Sequence, residues 1–148
     1  MAAIDAVDEQ LVKLLQKNCR QSSQSLAKQL HISPRTVRRR MATLLESKAI
    51  ANVVIVDPAR FGYPVVAIIC FKVVPGKVKA ATEALASRYE VKWLTSTAGQ
   101  YDILALARFK STDEASDFLE EELARIDGIQ SSETFFCLSV KKGRYMQI

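Results

Sequence analysis

At 148 residues, 49% of them hydrophobic and 25% charged, the chain has an ordinary globular balance and room for one medium domain or two small ones. No apolar run approaches the roughly 20 residues a membrane helix needs. The start, MAAIDAVDEQ, carries acids where a secretory leader carries bases, so a cytoplasmic protein with no membrane partner is expected. The net charge of +5 is unevenly placed: residues 1–50 hold nine bases against four acids, and residues 51–148 hold twelve of each. A polyanionic partner is therefore expected for the first third and not for the rest. Cys19, Cys70 and Cys137 are odd in number, widely spaced and accompanied by a single histidine, His31. That pattern predicts small buried hydrophobes, with no metal site and no cofactor.

Residues 4–17 predict an amphipathic helix, with Ile4, Val7, Leu11, Leu14 and Leu15 on one face. Asp5, Asp8 and Glu9 stand in its first turns and Lys13 and Lys17 near its end, matching the helix dipole. After the break at Asn18–Gln21, Ser22 or Ser23 caps a short helix through about Leu30, with Leu26, Ala27 and Leu30 inward. His31-Ile32 is a turn, and histidine tolerates the positive φ such a turn often wants. Ser33-Pro34 then restarts a helix, serine as N-cap and proline at the first helical position, running to about Ser47. Val37, Met41, Leu44 and Leu45 share its apolar side.

After Ile50 the texture changes. The β-branched segment 51–57 (ANVVIVD) reads as a strand, and Asp57-Pro58…Gly62-Tyr63-Pro64 as a turn-rich connection. Domains are therefore expected at 1–50 and 65–148, with strand and linker over 51–64. Val65–Val74 reads as a central strand, ended by Pro75-Gly76. A helix follows over Lys77–Tyr89, with Val78, Ala81, Leu85 and Ala86 inward. Val91–Thr97 and Tyr101–Phe109 are strands joined through Ala98-Gly99-Gln100 as a tight hairpin. Thr112 caps a helix to about Ile126, with Ala115, Phe118, Leu119, Leu123 and Ile126 inward, and Ile129–Val140 is the last strand. The order βαββαβ is a ferredoxin-like split unit. The fold class is thus α+β: a three-helix (winged) helix-turn-helix domain joined to a ferredoxin-like domain.

Three helices with a short turn before the third is the plan in which the last helix enters the DNA major groove. At 100° per residue, Arg35, Arg39 and Thr43 lie roughly opposite Val37, Met41 and Leu44, with Thr36, Arg38 and Arg40 on the flanks. Arginine bonds guanine bidentately and also holds phosphates. Arg35, Thr36 and Arg39, nearer the N-terminus, are assigned to base edges. Lys28, Arg38 and Arg40 are assigned to phosphates, and Ser33 is placed at the helix start against the DNA. A basic triplet by itself is more often a solvated helix face. Here it occupies the third helix of the right pattern, with one acid between Arg20 and Lys48, and double-stranded DNA is the better reading.

These residues carry a resemblance over nearly the whole chain. Ile4-Asp5-x-x-Asp8, Leu14-Leu15-Gln16-Lys17, Leu26-Ala27-Lys28, Ile32-Ser33-Pro34-Arg35-Thr36-Val37-x-Arg39-Arg40, Asp57-Pro58-x-x-Phe61-Gly62 and Ala98-Gly99-Gln100-Tyr101-Asp102 occur in order. The chain resembles the Lrp/AsnC family of leucine-responsive and feast/famine regulators. The resemblance implies homodimers formed through the C-terminal sheets, octamers or other rings, and small effectors, usually amino acids, bound between these domains. It places that effector at Gly99, Gln100, Tyr101 and Asp102 on the hairpin and Thr134 and Phe135 on the last strand. Glycine lets a ligand approach the backbone, and Asp102 offers a carboxylate to an ammonium group. The competing reading is local: Gly99 makes the turn and Asp102 caps or pairs nearby. Departures from the family pattern are His31 and Cys19 where glycine is common, and Ser25 where an acid often completes a capping box.

Two other classes remain in view. Ferredoxin-like domains also host catalysis, and distant two-domain relatives decarboxylate haem precursors. The chain offers no nucleophile–base spacing and no phosphate-binding glycine loop, so no catalytic residues and no enzyme activity are expected. An architectural protein that compacts DNA without sequence preference would carry the same basic helix, and its specific-to-non-specific affinity ratio would distinguish it.

Overall fold

A computed structural model describes residues 4–139 and Lys141, and the chain divides into two units between Val53 and Val54. The first unit begins with α1 (Ala6–Lys17). Asp5 is its N-cap, its carboxylate accepting from the Val7 and Asp8 amides at 2.9 Å, while Asp8 accepts from the Asp5 amide at 3.2 Å. This reciprocal pair satisfies amides that the helix itself leaves without partners. Ser22 caps α2 (Ser23–Leu30), and Ser33 caps α3 (Pro34–Glu46) with Pro34 in its first turn. His31 ends α2 in the left-handed region at φ 54°, as its position in the turn predicts. Leu11, Leu26, Ala27, Leu30, Val37 and Leu44 form the core of this unit, with Leu14, Leu15, Met41 and Ile50 packed around it.

Segment 51–57, expected as a strand, forms none beyond an isolated bridge at Val56. Its β-branched residues have the right shape for a pleated surface, but a strand also needs a neighbour for its amides and carbonyls. No strand of the sheet pairs with it, so no wing accompanies the three helices. Val53, Val54 and Ile55 are 50%, 83% and 54% exposed. Cys19, expected inside, is exposed, while Cys70 is buried and Cys137 lies between.

In the second unit, a short 3-10 turn at Pro58–Phe61 leads to β1 (Val65–Val73). There follow α4 (Val78–Ala86), β2 (Val91–Ser96), β3 (Ile103–Phe109), a helical segment and β4 (Ile129–Phe136). The four strands pair antiparallel in the order β2-β3-β1-β4, the ferredoxin-like arrangement expected from the chain order. The helical segment starts as α5 (Thr112–Asp117), widens to a π turn over Phe118–Glu122 and tightens to a 3-10 turn over Leu123–Arg125. Ser111, not Thr112, caps it through the Glu114 amide. In α4, Ala84 packs toward the core and Ala86 is exposed, reversing their expected places. β4 ends at Phe136, and Val140, expected in that strand, lies outside the described residues.

The helices cover one face of the sheet. Ala67, Ile69, Phe71 and Val73 of β1 and Ile103, Ala105, Ala107 and Phe109 of β3 pack against Ala81, Leu85, Ala115, Phe118 and Leu123. The other face stays open, and its register aligns Phe135, Ile68, Leu106 and Trp93 in one row across β4, β1, β3 and β2. Phe135, Ile68 and Trp93 are 49%, 41% and 51% exposed. Among the described residues no helix is long and apolar enough to cross a membrane.

Phe118 is 2% exposed and its ring centroid lies 5.4 Å from that of Phe109. Phe118→Ala should cost roughly 3–5 kcal/mol of stability in the second unit. Urea denaturation followed by the fluorescence of Trp93, the only tryptophan, checks this. A loss below about 1 kcal/mol would mean that the pocket collapses around the cavity.

Candidate functional site

Burial of Val37 and Leu44 fixes the rotation of α3 about its axis. Arg35, Arg38, Arg39, Ala42 and Thr43 are all exposed and follow one another at spacings that share one outward stripe. Among the described residues no acid pairs with Arg35, Arg38 or Arg39, and Lys28 on α2 is likewise exposed. The hydroxyl of Ser33 is already engaged, accepting from the Thr36 amide at 3.1 Å and lying 2.8 Å from the Thr36 hydroxyl. Thr36 is half-buried beside it. These two residues set the start of the helix more than they offer free polar groups.

Arg40 departs from its expected place at a phosphate. Its guanidinium turns back to the start of α1 and pairs with Asp5 at 2.8 Å and Asp8 at 2.9 Å. The capping acids of one helix thus hold an arginine of another. The Asp8 amide and then the Arg40 guanidinium hold the Asp5 carboxyl below its usual range. The Asp8 and Asp5 carboxylates in turn raise the Arg40 pKa. Helical spacing alone puts Arg38, Arg39 and Arg40 within one triplet; only the contact with α1 separates the third from the other two. Thr43 and Lys48 were left out of the expected site, although both line the cleft beside Arg39. Their signal was available, since Thr43 continues the Arg35–Arg39 stripe by one turn.

The hairpin residues of the second unit are not arranged as expected. Thr97–Asp102 forms a wide connection rather than a tight turn, closed by Thr97 N donating to the Asp102 carbonyl at 2.9 Å. The Thr97 hydroxyl also donates to the Tyr101 carbonyl at 2.5 Å. Gly99 does not need a positive φ, and a Cβ there would meet nothing within 4 Å. The chain's own packing therefore does not require this glycine. One carboxylate oxygen of Asp102 accepts from the Val73 amide at 2.8 Å, tying the connection to the end of β1. The Tyr101 hydroxyl donates to Glu133 on β4, and that bond raises the tyrosine pKa. Thr134 pairs with Ile69 and Phe135 with Ile68, so the two side chains point to opposite faces of the sheet. The cleft beside Arg39 and a second one beside Arg108 include none of these six residues.

A capped tri-helical unit with an outward basic stripe, followed by a βαββαβ sheet domain, defines a two-domain helix-turn-helix regulator. Residues 4–45 match the AsnC-type helix-turn-helix domain and residues 66–146 the Lrp/AsnC ligand binding domain. An uncharacterized HTH-type transcriptional regulator of Pyrococcus horikoshii is 34% identical over 98% of this chain and 92% of its own length. Escherichia coli AsnC superposes with a TM-score of 0.81 at 31% identity, covering 94% of this chain and 95% of that one. A Neisseria meningitidis transcriptional regulator solved as its complex with L-methionine shares the fold, with a TM-score of 0.85 at 22% identity, over 95% of this chain and 93% of that one. The chain belongs to the Lrp/AsnC family of DNA-binding transcriptional regulators.

The Arg40 contact makes a prediction about stability, not about DNA. Arg40→Ala should lower the melting temperature of the N-terminal unit. Asp5 has a depressed pKa, so the stability it contributes is present above the usual carboxylate range and is lost as pH falls through the lowered value. The gap between wild type and Arg40→Ala should therefore be full at neutral pH and close as Asp5 is protonated. A gap unchanged by acid would show that the ion pair does not hold α3.

Proposed function

We propose that this regulator reads DNA with the α3 stripe and answers to a small amino-acid-like effector bound between C-terminal domains of a homo-oligomer. The observation that carries the first half is the exposed stripe of Arg35, Arg38 and Arg39, unpaired among the described residues and centred on the helix that a helix-turn-helix protein places in the major groove. Arg35 and Arg39 are the base-edge candidates, while Arg38 and Lys28 serve phosphates. Ser33 and Thr36 hold the helix start against the backbone. Arg40 is reassigned from phosphate contact to positioning α3.

Supporting the second half, the row Phe135, Ile68, Leu106 and Trp93 forms an apolar face that a second copy of the chain can bury. The effector residues Gly99, Gln100, Tyr101, Asp102, Thr134 and Phe135 do not close a pocket in one chain, which suits a site completed by a partner copy. Gly99 in open space leaves room for a ligand against the backbone. A neighbour of the same fold is itself complexed with L-methionine. A dimer would present two α3 helices to a pseudo-palindromic site, with an octamer or other ring as the larger assembly. Effector binding changes occupancy only through different affinities for two arrangements of those helices. Cytoplasmic action without catalysis completes the reading.

Fluorescence anisotropy against the DNA upstream of the protein's own gene, with a scrambled control at fixed salt, tests the first half. Arg39→Ala should weaken specific binding by about 1–3 kcal/mol, with unchanged sedimentation and melting temperature. Binding as tight as wild type would remove Arg39 from the interface. Equal, salt-sensitive binding of the wild type to both DNAs would favour the architectural reading.

For the effector half, Asp102→Asn keeps an oxygen to accept from the Val73 amide and removes the charge. It should abolish the shift in DNA affinity caused by the active amino acid among the twenty, while basal binding stays at the wild-type level. A retained shift would mean that Asp102 serves the fold alone.

A further inference from the structure

Arg108 is an arginine inside a strand that is otherwise apolar, Ile103–Phe109. It is 4% exposed, and its Nε is buried without a hydrogen-bond partner. Its side chain makes no hydrogen bond or ion pair with any described residue; its backbone amide donates to the Glu90 carbonyl at 2.9 Å. Loss of water around the guanidinium lowers its pKa, opposed by the fields of Asp57 and then Cys137. Burying a guanidinium costs several kcal/mol unless charge-assisted hydrogen bonds replace the water it loses. The described residues do not supply them.

The side chain lines a cleft of about 350 Å³, which is the size of a small-molecule site. Asp57–Ala59 form one wall, Tyr63, Pro64 and Val66 a second, and Cys137–Ser139 a third. Val66 faces Arg108 directly across the β1–β3 ladder, and the Cys137 amide holds the end of β4 to the Val66 carbonyl at 2.8 Å. The walls are therefore fixed by the sheet and not by a loose loop. None of the hairpin residues assigned to the effector takes part.

We propose that this cleft is an anion site for a small monocarboxylate, anchored on the Arg108 guanidinium. The Nε edge of a guanidinium offers two parallel N–H groups whose spacing matches the two oxygens of a carboxylate. Asp57 stands in the same lining, so one cation and one anion face the space. A phosphate dianion meets net repulsion there once its first charge is matched, whereas a monocarboxylate does not. The apolar atoms of Pro58, Pro64, Val66 and Leu138 suit a short aliphatic body behind the carboxylate. The proposal stands independently of whether the hairpin binds an effector.

The test follows the Arg108 Nε–Hε resonance of the full-length protein, assigned by its absence in Arg108→Met. Sodium acetate and sodium propionate are titrated against sodium chloride at matched ionic strength, with inorganic phosphate as the competing anion. Saturable shifts with both carboxylates are expected, stronger with propionate, together with a rise in melting temperature of about 4 °C at saturation. Arg108→Met should fold with an equal or higher melting temperature in chloride, since it removes an uncompensated buried charge, and should show no carboxylate response. A linear or absent shift in the wild type overturns the site. A stronger response to phosphate than to acetate overturns the ligand class. A lower melting temperature or a changed sedimentation mass for Arg108→Met in chloride shows that the protein, or a second copy of it, already pairs the guanidinium, and the proposal falls.

Discussion

The rotational phase of α3 governs most of what this protein does with its charge. Val37 and Leu44 are 0% and 4% exposed, and burying a side chain of that kind contributes roughly 1.5–3 kcal/mol. Rolling the helix by one position would expose that surface and drive an arginine inward, a cost no surface contact offsets. With the phase fixed, Arg35, Arg38 and Arg39 have nowhere to go but outward. Arg40 sits on the shoulder of the helix, where it meets two acids instead of solvent. The same two acids cap α1, so the start of the first helix and the pitch of the third are tied at one point.

The second unit works by a different asymmetry. A strand paired on both sides, as β1 is with β3 and β4, commits alternate residues to opposite faces. Helices cover the side of Ala67, Ile69 and Phe71; the side of Ile68 and its neighbours stays open. A row of half-exposed aromatic and aliphatic residues on a flat sheet is costly in water and useful only when something covers it. That is why an oligomer is the natural setting for this domain. It is also why a ligand site assembled from Gly99, Asp102 and Phe135 looks incomplete in a single chain.

Local signals in the sequence were strong wherever one residue decides its own environment. Ser33-Pro34 starts a helix because a serine oxygen satisfies an orphan amide and proline lacks one to orphan. His31 takes the left-handed turn because little else at that position blocks it. The antiparallel order of four strands followed from alternation and from turn residues at the strand ends. What the sequence could not convey depends on partners distant along the chain. Segment 51–57 has the composition of a strand but no neighbour in the sheet. Ala84 and Ala86 differ only in which side of α4 meets the strands, and a run of alanines gives that periodicity no contrast. The wide Thr97–Asp102 connection is set by hydrogen bonds to Asp102 and Tyr101 that no turn propensity records.

Charge was the hardest property to read, because a basic residue looks the same in sequence whatever faces it. Arg39, Arg40 and Arg108 illustrate three fates. Arg39 is exposed and unpaired among the described residues, so a long polyanion can compete for it with water alone. Arg40 is already spoken for by Asp5 and Asp8, so a phosphate would have to displace two carboxylates at hydrogen-bond distance. Arg108 has lost its water without gaining a carboxylate in return, and that imbalance is itself the reason to look for a ligand. The triplet Arg38-Arg39-Arg40 drew attention to the first third of the chain for a sound reason, since net charge steers association. Which arginines do the contacting is settled afterwards, by the acids that the fold brings within reach of each one.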